Sequence, residues 1–363
     1  MMVEKGITMP RIIITGSGRI DDSDSAFPQA VQLAGGDILC SFSVGGGPNA
    51  EGFTNLARSR DGGAHWETLG PILAATREPW STNCLRISKA HGSDALYAYG
   101  ARSYRSAGGK FGEGMNEAVF CRSENGGESW SQPRVVPLGE KCPLEISFAA
   151  VPLQGGRLLA PAAVLPSKDR LGERVLAAVS DDGGKTWPAT TTVFQDPQKR
   201  FGFFEHKFCE FAPGQVMAVC WTVTLGDVKD QTDSFAVSRD GGLAWGPANS
   251  TGIMGQTMTP VHLGGDRLLV LYNRRYGRQG VVMALVTFDE NSWRVRCEEM
   301  MYDAQSQRAR PDGIKNGVEE FDSFAFGFPT AIRLKDGSYL ATHWCKEKGR
   351  FGINWTKLQI EWE

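Results

Sequence analysis

The chain is poor in the residues that metal and redox chemistry need. Across 363 residues it has five histidines and eight cysteines, and no two cysteines form a C-x-x-C pair. Most of the cysteines (Cys40, Cys84, Cys121, Cys142, Cys209, Cys220, Cys297, Cys345) fall in apolar, strand-like segments. There a free thiol acts as a small buried hydrophobe. The thiols are therefore read as reduced, and no metal and no cofactor are expected. Excess charge of one sign is also missing: 39 Lys and Arg against 41 Asp and Glu leave a net −2. Such a balance gives no electrostatic case for nucleic acid or an anionic membrane as partner. The apolar runs are strand-sized, well short of the ~20 residues of a spanning helix. Met1 to Pro10 includes Glu4 and Lys5 and has no apolar core of the kind a secretory leader needs. A cytoplasmic location is the expectation, with secretion open if a leader has been removed.

Turns and aromatics are plentiful, with 44 Gly, 19 Phe and 10 Trp. One eight-residue pattern recurs four times. It reads Ser59-Arg60-Asp61-Gly62-Gly63-Ala64-His65-Trp66, and begins again at Ser123, Ser180 and Ser238, ending on Trp130, Trp187 and Trp245. The starts are 123−59=64, 180−123=57 and 238−180=58 residues apart, so the pattern marks a repeating unit. Each copy has a short polar side chain (Asp61, Asn125, Asp182, Asp240) followed by paired glycines, and strand-like runs flank it. This is hairpin chemistry: glycine takes the positive-φ positions and side-chain oxygens bond the turn's own amides.

The pattern S-x-D/N-x-G-x-x-W at this spacing resembles the Asp box of the sialidase (BNR-repeat) superfamily, over roughly residues 10 to 361. The resemblance implies a propeller in which each box closes the hairpin between a blade's outer strands, on the face away from the active site. The boxes are then scaffold, not chemistry.

A second repeat runs in phase with the boxes, an apolar stretch, a glycine turn, and another apolar stretch. It occurs around Gly35-Gly36, Gly92-Ser93, Gly155-Gly156, Pro213-Gly214, Gly264-Gly265 and Asp336-Gly337. Six inner hairpins predict an all-β, six-bladed propeller of four-stranded antiparallel blades, one domain over residues 1–363. The sixth blade runs out of chain after Phe351 to Leu358, while Arg11 to Thr15 precedes blade one without a partner. Pairing the two closes the ring. Residues 102–116, a glycine-rich loop within blade two, and 302–325, a long charged link between blades five and six, do not fit the repeat; segments of this length are either functional rims or mobile.

With boxes at one end, the inner-strand starts face the opposite funnel. Aligned on the glycine turn, one position reads Phe27, Cys84, Ser147, Glu205, Thr257, Phe328; the one before it reads Ala26, Asn83, Ile146, Phe204, Gln256, Gly327. Glu205 is the one charge in either set, and a carboxylate among apolar residues needs a partner or a task. The plainer reading bonds it to backbone or to His206. Glu145 is a weaker second carboxylate. Glu51 lies in the loop where the resemblance places an acid/base Asp. Arg274 and Arg275 lie near one of that family's three substrate-binding arginines. Asn83, Gln256, Trp221 and Trp344, with Trp80, complete a sugar-binding composition, aromatic faces for ring C–H surfaces and polar groups for hydroxyls.

The departures from the family pattern are informative. Ala26 stands where an arginine is expected, Cys220 and Trp221 where a second is, and Phe326-Gly327-Phe328 where the nucleophilic tyrosine should be. Loss of carboxylate-gripping and nucleophilic groups together implies a ligand without a sialate carboxylate. Two classes stay open: a glycoside hydrolase using Glu205 with Glu51, or an Asp among Asp21, Asp22 and Asp24, or with His206 or His343 as acid/base; and a non-catalytic propeller binding glycan or protein. The expected partner in the first case is a carbohydrate.

Overall fold

The computed structural model describes residues 9–77, 80–104, 115–308 and 324–362. Its strands form six antiparallel sheets, each a meander of neighbouring strands, arranged as blades of a closed ring. Blade one is typical: Ser25–Gln32, Ile38–Val44, Thr54–Ser59 and Glu67–Leu73, from axis to rim. Blade four runs Phe201–Ala212, Gln215–Thr224, Ser234–Ser238 and Asn249–Ser250. Blade five runs Gln256–Gly264, Arg267–Arg274, Gly277–Phe288 and Trp293–Arg308. That last strand absorbs residues 302–308, which the sequence reading had placed in a link; residues 309–323 and most of 102–116 lie outside the described residues.

Blades two and three depart from the pattern. Blade two (Trp80–Lys89, Leu96–Ser103, Asn116–Ser123, Arg134–Val135) gains a fifth segment, Thr76–Arg77, paired to the start of its inner strand. In blade three the inner strand is broken into Leu144–Glu145 and Val151–Pro152, both paired to Leu158–Val164. Val175–Ser180 and Ala189–Phe194 complete the blade.

The ring closes in blade six. Phe326–Arg333, Tyr339–Glu347 and Arg350–Glu361 are followed at the rim by Arg11–Asp21, from the other end of the chain. The antiparallel register runs from Arg11 opposite Glu361 to Asp21 opposite Ile353.

Second strands are buried on both faces, Ile38–Val44 throughout, because every blade is covered on both sides. This explains why the sequence shows continuous apolar runs instead of simple alternation. Six main apolar clusters fill the interfaces between successive blades, blade six against blade one included. The hydrophobic core is therefore a ring of wedges.

The boxes clamp these wedges. In each, the serine hydroxyl accepts the N–H four residues on, at 2.9 Å for Ser59, Ser123 and Ser180 and 2.8 Å for Ser238. An arginine from the preceding blade then donates to the box's first-glycine carbonyl: Arg58 to Gly126 at 3.1 Å, Arg122 to Gly183 at 3.3 Å and Arg157 to Gly241 at 3.3 Å. The second glycine docks on the preceding blade. A Cβ on Gly184, at φ +82°, would lie 2.4 Å from the Phe120 ring. Trp187 meets the same Phe120 edge-on at 5.5 Å but is only half-buried. Trp187→Ala should therefore lower stability by about 2 kcal/mol, less than a fully buried aromatic, and leave the opposite face unchanged. Thermal melting with ligand binding on the same sample checks this; lost binding in a folded variant would put the box on the wrong face.

Candidate functional site

At the end of the ring opposite the boxes, four inner strands share one backbone irregularity. Phe27, Glu205, Thr257 and Phe328 adopt φ between +49° and +58°, and at each the register against the second strand shifts. These are four of the six equivalent positions aligned from sequence. Blade two has no such bulge, and in blade three Ser147 falls in the gap of the broken strand. A bulge re-aims side chains and frees backbone carbonyls. The side chains converge: Phe27 meets Phe328 edge-on at 5.4 Å, and the Thr257 hydroxyl donates to the Glu205 carboxylate.

The freed carbonyls are taken up by residues two positions further along. Thr330 donates to Pro28 O at 3.2 Å, Thr259 to Pro329 O at 2.6 Å, Lys207 Nζ to Ser147 O at 2.7 Å and Arg86 Nη1 to Ile146 O at 2.8 Å. Two of these donors are buried cations. Lys207 has no exposed surface, and its Nζ stands 3.2 Å from the centre of the Phe328 ring. The Arg86 guanidinium stacks on Phe27 and Phe328, at 5.2 and 4.7 Å. Cations on ring faces and carbonyls thus form a layer across the channel.

Two carboxyls adjoin this layer. Glu145 is buried, and its Oε2 accepts the Glu205 N–H at 3.0 Å. Glu205 itself is only half-buried. Desolvation, then the Glu145 charge, push the Glu205 carboxyl up to about 7, against the opposing pull of Lys207, Arg275 and Arg86. Burial raises Glu145 as well, and burial with Arg86 nearby carries Lys207 well below an ordinary amine. His206 is wholly buried, its Nδ1 3.8 Å from Glu145 Oε2; burial and then Lys207 lower it to about 3, so the ring is neutral near pH 7.

A second group lies between blades four and five. Asp230 accepts hydrogen bonds from Trp221 Nε1 at 2.9 Å, Gln256 Nε2 at 3.3 Å and the Tyr276 hydroxyl. Gln256 Oε1 in turn accepts Arg275 Nε at 3.0 Å. Arg275 also donates to Phe326 O at 2.7 Å and lies 3.8 Å from the Phe324 ring centre. Behind them Asp233 is fully buried, and burial, then Asp230 and Glu205, push its carboxyl far up.

Of the residues singled out from sequence, Glu205, Glu145, His206, Gln256, Arg275 and Trp221 belong to these linked groups. Trp221 contributes its Nε1; its ring is buried against Phe204 at 4.4 Å. Trp344 is buried in the wedge between blades six and one. Asn83 is buried, accepting the Thr54 N–H at 3.0 Å and donating to Leu73 O at 2.9 Å, so it ties blades one and two. Arg274 turns outward, donating to Arg278 O at 3.0 Å with Glu298 at 3.5 Å. Glu51 is exposed in the loop above blade one, which stands across the ring from blade four. His343 is buried near Tyr302, and burial lowers it to about 3. The Trp80 side chain lies outside the described residues.

Sequence reading missed Lys207, Arg86 and Asp233. The signal for the cations was present: two positions beyond the aligned ring the chain reads Gln29, Arg86, Ala149, Lys207, Thr259, Thr330. Among the described residues no group of three His, Cys, Asp or Glu side chains is arranged to hold a metal ion.

A profile of the BNR repeat-like domain matches residues 55–340. Solved structures are similar at low identity. A protein of unknown function from Dyadobacter fermentans is 21% identical, with TM-score 0.73 over 96% of this chain and 99% of that one. An alpha-L-arabinanase from Penicillium chrysogenum, complexed with arabinobiose, is 12% identical, with TM-score 0.64 over 95% and 98%. The intramolecular trans-sialidase from Ruminococcus gnavus, in complex with oseltamivir carboxylate, is 10% identical, with TM-score 0.61 over 94% and 96%. No curated protein matches the chain. At these identities the structural likeness is one of fold.

Proposed function

The chain belongs to the BNR repeat-like domain family, and from that premise we propose that it is a glycoside hydrolase of sialidase-like fold acting on a non-sialic sugar. The observation that carries this reading is the half-buried Glu205, set against buried Glu145 where the inner strands converge. A carboxyl held near neutrality is suited to give or take a proton at the glycosidic oxygen. Desolvation, and then the Glu145 charge, keep it there, and Gln256 with Arg275 provides a fixed polar edge. A sialate would find Ala26 and Cys220 at positions expected to grip its carboxylate and Phe328 where the nucleophile is expected, all buried. Arg86 and Lys207 lie beneath, bonded to backbone carbonyls. The likeness to an arabinanase and a trans-sialidase supports a carbohydrate ligand. The test is a panel of aryl glycosides and oligosaccharides that includes arabinofuranosides and sialosides. Hydrolysis of a non-sialic member is expected; ready cleavage of the sialoside would overturn the specificity.

The pH dependence follows from the site. If Glu205 donates the proton, kcat falls as pH rises through about 7. Glu145→Gln removes the like charge, so the Glu205 pKa drops and the falling limb moves to lower pH. A pH–rate profile of both forms measures this; an unmoved limb would assign it to another group.

A second reading rests on a different observation. The Arg86, Lys207, Phe27 and Phe328 layer fills the axis next to Glu205, and Thr257 already engages its carboxylate. A shallow site of that kind suits a binding module. Glycan binding that survives Glu205→Gln, with no hydrolysis by either form, would select it.

A further inference from the structure

A cavity of about 640 Å³ opens at the box end of the channel, on the far side of the cation layer from Glu205. Its walls are largely apolar, with Ile87, Phe148 and Phe208 among them. Three cations also line it, Lys89, Arg333 and Lys335, and no carboxylate does. Arg333 and Lys335 are exposed and mark its mouth. Lys89 donates to Ser93 O at 3.0 Å and Lys335 to Ala34 O, so rim carbonyls hold these ammonium groups in place.

One wall residue is polar and unsatisfied. Gln29 is 8% exposed, lines the cavity, and its Oε1 accepts no hydrogen bond. A buried acceptor without a donor is unfavourable, and a ligand hydroxyl would satisfy it. Size, apolar wall, cationic mouth and orphan acceptor together describe one ligand chemistry.

We propose that this cavity binds a small amphipathic organic anion, its apolar body along Ile87, Phe148 and Phe208, its carboxylate at the cationic mouth and a hydroxyl at Gln29. The site is separate from the sugar site, and its occupancy does not depend on Glu205. Titration calorimetry on the full chain tests it with two hydroxylated amphipathic carboxylates, cholate and ω-hydroxydodecanoate, each below its micelle concentration. At least one should bind saturably, one to one. Its methyl ester should bind more weakly, and added salt should weaken the acid. The exposed double variant Arg333→Glu/Lys335→Glu should lose about tenfold or more in affinity, while Glu205→Gln should leave it unchanged. No saturable binding by either acid, or affinity that ignores both esterification and charge reversal, would overturn the proposal. Loss of binding in Glu205→Gln would likewise overturn it by placing the ligand at the other end of the channel.

Discussion

Replacing Glu205 with Gln is expected to reduce turnover by about 10³-fold or more, the range associated with loss of a proton-transferring group, and to make the protein more stable at pH 8. The two effects share one cause. The folded state holds the Glu205 proton up to about pH 7, against an ordinary value of 4.5. Between those values the native state binds more protons than the unfolded state, so stability falls as pH rises. Above about 7 the full penalty is present, on the order of 3 kcal/mol. Gln keeps the shape, can accept from the Thr257 hydroxyl and carries no charge, so the penalty disappears. Melting curves should show the variant above wild type at pH 8 and level with it near pH 4. An inactive variant that melts lower at pH 8 would mean that the change broke the fold, and undiminished turnover would remove Glu205 from the chemistry.

Deleting residues 1–21 should unfold the ring or lower its melting temperature by at least about 10 °C. The lost strand does more than cover the backbone edge of Arg350–Glu361. Ile12 packs into the wedge between blades five and six, and Ile20 into the one between blades six and one. Trp355 lies so close to the strand that a Cβ on Gly18 would come within 2.7 Å of its ring nitrogen. Removing the strand therefore opens two of the six inter-blade wedges at once and exposes a full unpaired edge. Thermal melts and size-exclusion profiles of the truncated chain measure this. A melt within a degree or two of the intact protein would place closure elsewhere.

The fold was legible because its markers are local. Ser180, Asp182, Gly184 and Lys185 bond to one another within one turn, and that geometry is written in consecutive letters. The ring alignment also carried over, since Phe27, Glu205, Thr257 and Phe328 turned out to share a bulge that no sequence pattern announces. The site was legible only in part, because its electrostatics are assembled across blades. Lys207 and Arg86 look like ordinary strand cations until the break in the inner strand of blade three offers them Ser147 O and Ile146 O. Asp233 looks like a loop acid until Ile253, Gly255 and Tyr272 enclose it. Trp221 and Trp344 have the composition of sugar platforms, yet neighbouring aromatics cover their rings. Which face of a ring is covered depends on blade-to-blade packing, and one strand read alone does not contain it.

The pairing of Arg11–Asp21 with Arg350–Glu361 also sets an order of events during synthesis. Arg11–Asp21 is made well before its partner Arg350–Glu361, and at about 5–20 residues per second roughly half a minute separates them. Throughout that interval the Ile12-Ile13-Ile14 run leaves the ribosome with no partner, on a chain whose other five blades can already form. The nascent protein is thus an open arc with a β-branched edge exposed until Arg350–Glu361 has emerged, and chaperone demand should peak in the interval just before that strand appears.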